Sequence, residues 1–469
     1  MQAEGTAPGA VSFANLWWKG RWLRDATASI NGAGQCVEIS DGPRSGAPYI
    51  KGLTLPGIVN AHCHAFQRAL GPWTQRAAGE RDDFWSWRET MYALASRLQR
   101  DDLEAISARC YLELLRGGYT RVAEFLYLHR LGRERQPDAD LAIAAAAQRT
   151  GIAVTLLPTL YQHADFGGVP PLPGQLAFVR STALFLEDWQ TLRGRYAESD
   201  AITLGVAFHS LRAVDIDVIA SVAQSLQDDL LCRCLHIHVA EQPAEVASCI
   251  RQHGLPPVAL LASRALLSAR WALVHATHST GEELAQLRAA KATLVLCPTT
   301  EADLGDGCPD IASYLDAGGY ISIGSDSNIG RSAPGELRQL EWSQRLARGR
   351  RNVLATAKAP AVADRLYESV LTGGLRAIGA VVTGGAAAQP SADFVSYELD
   401  AGDWEQQGPG DFLSTLVFDA AAPRAQQVMV GGRWVIRDGV HAHEVTIEAR
   451  YRETLRRLRA LIREGTYYD

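Results

Sequence analysis

The feature that most restricts this chain is an alternation repeated eight times. Apolar runs of β type at residues 53–61, 120–125, 152–157, 202–208, 235–239, 271–275, 292–297 and 320–324 are separated by stretches with helical spacing. Residues 101–116 (DDLEAISARCYLELLR) show that spacing: aspartates open the stretch, then apolar side chains recur at i, i+3 and i+4. Residues 282–290 and 336–348 read the same way, and the alanine-rich run 142–147 suits a buried helix face. Near-continuous apolar strands are those buried on both faces, as in parallel sheets covered by helices. Eight of them predict an α/β fold, a closed (β/α)8 barrel, with an open doubly wound sheet as the rival.

The two ends differ in texture. Residues 12–18, 20–23, 394–398, 413–418 and 427–436 are short β-like runs with turn signals, among them VMVGGRWVIRDG with its Gly-Gly turn. They predict a small β-sandwich built from both termini. The expected division is 1–52 and 389–445 for the sandwich, 53–388 for the barrel and 446–469 for a closing helix, with Thr446 as its N-cap. The Pro/Gly-rich segment 162–174 follows the third strand and is expected as a loop on the catalytic side, either a lid or an ordinary connection.

Composition closes off other classes. With 47% hydrophobic and 21% charged residues, the chain is globular, and a net charge of −6 argues against a nucleic-acid partner. No run approaches the ~18 apolar residues of a membrane span, and the first residues lack a basic-then-apolar leader. A cytoplasmic protein is expected. Its eight cysteines contain no CxxC pair, which points to buried thiols in a reducing compartment and not to a zinc knuckle.

His62 and His64 end the first run. A spacing of two on a strand puts both imidazoles on one face and Cys63 on the other. Alone, such a pair is as well read as two polar residues at a strand end. Other run ends add weight: His236 and His238 close the fifth, His275 the sixth and Asp326 the eighth. The C-terminal ends of barrel strands are where active sites form. Three imidazoles and a carboxylate there suit one divalent ion that keeps a position for water. Glu241, three residues after His238, is placed to shuttle protons, and His278 is a nearby rival to His275.

The runs LPGIVNAHCH, HIHVAE, LVHATH and GSDSN closely resemble the amidohydrolase superfamily. The resemblance implies a (β/α)8 barrel with a terminal β-sandwich. In the deaminase branch it implies a single metal held by His62, His64, His238 and Asp326, with Zn2+ foremost and iron or manganese open. The fourth strand ends in Ala207-Phe208-His209, without the lysine that bridges two metals in dinuclear members. Glu241 takes the part of proton shuttle, His275 that of substrate polariser, and Asp326 also accepts the proton of water.

Further runs extend the resemblance over nearly the whole chain, to the formimidoylglutamate deiminases: NAHCHAFQRAL, DDFWSWRETMY, VAEFLYLHR, FHSLRAV and CPTTEADLGDG. What they imply is hydrolytic deamination of N-formimino-L-glutamate in histidine degradation, by a cytoplasmic homodimer. Such a substrate carries two carboxylates, which the planar fork of arginine matches. The resemblance assigns substrate contacts to Gln67, Arg88, Tyr127, His209 and Arg212. Pro298 is expected to end its strand in a turn, Glu301 to hold that loop or to orient substrate, and Gly324 and Gly330 to allow close backbone approach. The rivals are a deaminase of another formimino or guanidino acid or of a heteroaromatic substrate, and a non-catalytic barrel. The last would be expected to lack the ligands, all of which are present here.

Overall fold

A computed structural model describes residues 9–75, 83–129, 131, 139–380, 390–398, 411–419 and 424–465. The chain opens with four strands, β1 (Ala10–Trp18), β2 (Arg21–Ile30), β3 (Cys36–Asp41) and β4 (Tyr49–Pro56). Nine strands of the barrel follow: β5 (Ile58–Cys63), β6 (Tyr119–Leu126), β7 (Ala153–Leu160), β8 (Ile202–Leu204), β9 (Val206–Ser210), β10 (Leu235–Val239), β11 (Trp271–His275), β12 (Thr293–Leu296) and β13 (Tyr320–Ile323). Four more close the second sheet: β14 (Phe394–Tyr397), β15 (Ala425–Val430), β16 (Arg433–Arg437) and β17 (Val440–His441).

The barrel is closed. All its pairings are parallel, β13 returns to β5, and β6 pairs with β7. Strands β8 and β9 are one stave interrupted at Gly205, where a side chain would meet Cys234 Sγ at 2.5 Å. Each stave is buried along its length because helices cover the outside and side chains fill the inside, which is why the runs read as continuously apolar.

Local chemistry sets the helix boundaries. Helix Arg100–Arg116 begins one residue before the expected aspartates; Asp102 accepts the N–H of the N-cap residue Gln99 at 2.8 Å. Helix Ala139–Thr150 buries Ala142, Ile143, Ala146 and Ala147, as the alanine-rich run predicts. Two expectations fail at the C-terminal end. Residues 413–418 form a helix, Phe412–Phe418, and not a strand: Phe412, Leu413, Leu416 and Val417 share one buried face at helical spacing, which the run of apolar residues disguised. The last helix is Glu444–Gly465, so Thr446 lies inside it and does not cap it.

Both ends of the chain meet in the second sheet, ordered β17-β16-β15-β14-β4-β1-β2-β3. Antiparallel pairing of β4 with β14 joins the N-terminal strands to the C-terminal ones, so the strands expected as a sandwich are hydrogen-bonded into one sheet. Phe13, Leu16, Phe394 and Met429 pack into a separate core beside it. Residues 399–410 and 420–423 of the expected C-terminal part lie outside the described residues. Among the described residues, no helix is long and apolar enough to cross a membrane.

Candidate metal centre and active-site pocket

Residues far apart in sequence meet where the barrel closes. Ile323 of β13 pairs with Asn60 of β5, and just beyond, Cys63 bridges to Asp326. The Asp326 N–H donates to the His62 carbonyl and the His64 N–H to the Asp326 carbonyl, both at 3.0 Å. Gly324 permits this approach, since a Cβ there would lie 2.7 Å from the His62 carbonyl oxygen. Two asparagines stitch the seam. Asn60 Oδ1 accepts the Ser325 N–H at 3.0 Å, and Asn328 Nδ2 donates to the carbonyls of His64 (2.9 Å) and Asp326 (3.0 Å). Asp326 (φ 44°) and His275 (φ 69°) both sit in the left-handed region, strain of the kind that functional sites hold.

The side chains of the seam converge. His62 Nε2 and His64 Nε2 lie 3.5 and 3.4 Å from Asp326 Oδ1, and His238 Nε2 lies 3.0 Å from His62 Nε2. One ligand nitrogen from each of the three histidines falls within 4.8 Å of the others. Two of the outer nitrogens are engaged, His64 Nδ1 donating to the Phe125 carbonyl (3.0 Å) and His238 Nδ1 to the His209 carbonyl (2.9 Å), while His62 Nδ1 is buried without a partner. Those bonds leave the Nε2 lone pairs of His64 and His238 bare and turned inward. Burial drives His62 down to about 3 and pushes His64 and His238 below their ordinary values, so all three are neutral. Against the upward push of burial, the imidazoles of His62, His64 and His275 hold the Asp326 carboxyl below the usual carboxylate range. Neutral imidazoles, two of them anchored through Nδ1, converging beside an ionised carboxylate fit a divalent cation.

Glu241 and His275 face this cluster. His275 Nε2 is 3.7 Å from Glu241 Oε1 and 3.7 Å from Asp326 Oδ2. Burial pushes the Glu241 carboxyl up, with Asp326 and Glu245 adding to the rise and His275 and Arg212 pulling the other way. Burial alone would depress His275, but Glu241, Glu301 and Asp326 outweigh it and raise the imidazole to about 10.

Above the cluster lies a pocket of about 520 Å³, including its open mouth. All five expected substrate contacts line it. Gln67, on the turn Ala65–Ala69, donates from Nε2 to Tyr127 Oη at 2.7 Å, and its Oε1 is buried with no partner. Arg88 bonds Tyr92 Oη from Nε at 2.7 Å and stacks 4.8 Å from the centre of the Trp85 ring. Arg212 is buried; its Nε has no hydrogen bond, and its carboxylate neighbour Glu245 stands off at 3.9 Å. Burial and the two arginines depress the pKa of His209 well below the ordinary value, so it meets a ligand as a neutral hydrogen-bonding ring.

Other expected residues lie elsewhere. His236 Nε2 donates to the Ala377 carbonyl at 2.7 Å, its Nδ1 is buried without a partner, and it lies in the core away from the pocket. His278 donates to the Asp306 carbonyl at 2.8 Å and does not line the pocket. Pro298 opens a short helix, Pro298–Leu304, in place of the expected turn, because its fixed φ and missing N–H suit a first helical position. The sequence offers no direct signal for Tyr161 and Gln175, which line or brace the pocket; Gln175 Nε2 donates to Tyr161 Oη at 2.8 Å and to Tyr92 Oη at 3.3 Å. Tyr161 follows a barrel strand, but the apolar run reads as ending before Pro158, whereas β7 continues through that proline to Leu160.

Comparison with known proteins agrees with this architecture. The amidohydrolase family matches residues 53–435. The chain is 41% identical over 430 residues to the formimidoylglutamate deiminase of Pseudomonas aeruginosa, covering 90% of this chain and 93% of that one. Among solved structures, an amidohydrolase from Brucella melitensis superposes with a TM-score of 0.88 at 34% identity, covering 96% of this chain and 99% of that one. An adenosine deaminase from Xanthomonas campestris with bound zinc shares the fold, with a TM-score of 0.77 at 21% identity over 96% of this chain and 98% of that one.

Proposed function

The chain belongs to the amidohydrolase family, and from that membership we propose that it deaminates N-formimino-L-glutamate by hydrolysis, giving N-formyl-L-glutamate and ammonia in histidine degradation. The observation that carries this reading is the pairing of two unlike regions in one pocket. A ligand cluster lies at its floor, and the buried Arg212 on its wall lacks a hydrogen bond at Nε. An acyclic substrate with a formimino head and carboxylates at the other end needs both.

His62, His64, His238 and Asp326 would hold the cation, whose contribution when bound is to acidify water toward a pKa of about 7 and supply a nucleophile at neutral pH. Asp326 accepts the proton of the attacking water. Glu241 then delivers a proton to the departing nitrogen, and His275 Nε2 steadies the charge that develops on the tetrahedral carbon's substituents. The C–O bond forms as C=N becomes C–NH2; the proton taken by Asp326 then passes to that nitrogen, the C–N bond breaks, ammonia leaves, and the hydroxyl proton of the tetrahedral carbon returns to Glu241 as the formyl C=O forms. Arg88 and Arg212 bind the carboxylates, Gln67 Oε1 accepts a substrate N–H, and Tyr127 and His209 supply neutral hydrogen bonds. Zinc as the resident ion, a homodimer as the working form and the cytoplasm as the compartment are part of the same reading. The ligand chemistry supports zinc, and so does the bound zinc of the Xanthomonas relative.

The test is an ammonia-coupled assay of the zinc-loaded protein with N-formimino-L-glutamate, with the products identified. Ammonia and formylglutamate in equal amounts are expected; formamide would mean that a different bond is cut. Glu241→Ala is expected to lower kcat by about 10²- to 10⁴-fold, the usual range for a general acid–base group. Equal turnover in the two proteins would remove Glu241 from proton transfer.

A further inference from the structure

Glu301 is a buried carboxylate beside the reaction centre to which the proposed chemistry gives no part. It lies in helix Pro298–Leu304, one turn after Cys297. Its Oε1 turns back to accept the Cys297 N–H at 2.9 Å, and the same oxygen stands 3.2 Å from His275 Nδ1. The helix itself is clamped. Thr299 donates to Glu336 from its N–H (2.9 Å) and its hydroxyl (2.5 Å), and Thr300 Oγ1 lies 3.0 Å from Ser327 Oγ. The run Thr299-Thr300-Glu301 is thus a rigid bracket in which each side chain engages a different element.

An oxygen that only accepts, facing Nδ1, requires a proton on Nδ1. The ring then presents Nε2 to Glu241 and Asp326, 3.7 Å from each. His275 and Ala276 hold φ values of 69° and 47°, so the ring is carried on strained backbone that an outside partner must fix. Cys297, His275 and Glu301 also place potential ligand atoms within 4.8 Å of one another. Here, however, Glu301 Oε1 is already shared by two N–H groups, which makes the trio a hydrogen-bonded bracket and not a second cation site.

We propose that Glu301 is a positioning residue: it fixes His275 with Nδ1 protonated and aims Nε2 at the reacting atoms. The kinetic part of this inference rests on the proposed reaction; the structural part does not. Glu301→Gln keeps an oxygen in place, because the Cys297 N–H orients the amide so that its oxygen faces both donors. Glu301→Ala removes the acceptor.

Two measurements on the zinc-loaded full chain decide it. In ¹⁵N-histidine-labelled protein without substrate, a His275 Nδ1–H resonance, assigned by its loss in His275→Gln, is expected in the unaltered protein and in Glu301→Gln and absent in Glu301→Ala. In turnover of N-formimino-L-glutamate, Glu301→Ala is expected to lose about 10- to 100-fold in kcat, the usual cost of removing the outer partner that orients an active-site imidazole. KM should stay within about 3-fold, and Glu301→Gln should recover most of the lost rate. A resonance that persists in Glu301→Ala, equal losses in the two variants, or a loss confined to KM overturns the proposal. If Glu301→Ala does not fold, the resonance in the unaltered protein and in Glu301→Gln still decides. If the unaltered protein releases no ammonia, the proposed reaction fails, and the resonance alone judges Glu301.

Discussion

The floor and the wall of the pocket are built on opposite plans. On the floor, most functional side chains are held by a second group: His64 by the Phe125 carbonyl, His238 by the His209 carbonyl, His275 by Glu301, and Asp326 by the closing seam of the barrel; His62 Nδ1 is the exception among them, buried without a partner. On the wall, polar atoms are left open. Gln67 Oε1 and Arg212 Nε are buried without hydrogen bonds. A buried polar atom without a partner costs about 1–3 kcal/mol, so the wall is a region where folding energy is withheld until a ligand arrives. The floor needs fixed geometry because charge changes there during reaction. The wall needs unsatisfied groups because recognition consists of satisfying them.

The sharpest way to break this contrast is to remove a floor ligand. His238→Ala is expected to abolish stoichiometric zinc binding and to lower turnover by at least about 10³-fold, since a Lewis-acid centre supplies several kcal/mol of barrier reduction. Metal analysis beside the ammonia assay checks it, and full zinc occupancy in the variant would take His238 out of the ligand set. A wall substitution should behave differently. Arg212→Met is expected to keep its zinc and to change kcat by less than about 3-fold. Its KM should rise by about 10- to 100-fold, the worth of a charge-assisted hydrogen bond of roughly 1.5–3 kcal/mol. An unchanged KM would favour a neutral heteroaromatic substrate over a dicarboxylate.

The same contrast separates what the sequence makes legible from what it hides. His62, His64, His238, His275 and Asp326 stand at ends of apolar runs, and strand-end position is a property of sequence. Arg212 and Tyr127 also follow such runs, whereas Arg88 lies on helix Phe84–Ala95 and was reached only through resemblance. Tertiary partnerships were hidden. Nothing in CPTTE distinguishes a carboxylate that braces its loop from one that reaches across to His275. The seam asparagines Asn60 and Asn328 likewise look like ordinary polar residues until the barrel closes and their amides find Ser325 and the His64 carbonyl. Helix Phe412–Phe418 failed for another reason: a short apolar stretch supports both periods, and only packing chooses.

The smallest expected effect probes the scaffold beneath the floor. Glu124 of β6 accepts the Ala65 N–H at 3.0 Å and the Tyr111 hydroxyl at 3.0 Å, and so supports the turn that follows His64. Burial raises its carboxyl to about 7, with those hydrogen bonds pulling against the rise. An unfolded glutamate titrates near 4.3. Between those two values the folded chain holds a proton that the unfolded chain has released, so this group's contribution to stability falls as pH rises, by up to about 1.4 kcal/mol per pH unit. Glu124→Gln cannot titrate; its one amide oxygen can still accept the Ala65 N–H, while its NH2 faces the Tyr111 hydroxyl, which can turn to accept. Its Tm relative to the unaltered protein should therefore climb steadily from pH 5 to pH 7, by a few degrees in all. A Tm difference that stays constant over that range would mean that Glu124 is already ionised in the folded protein, and that the floor is carried by a charged support instead of a neutral one.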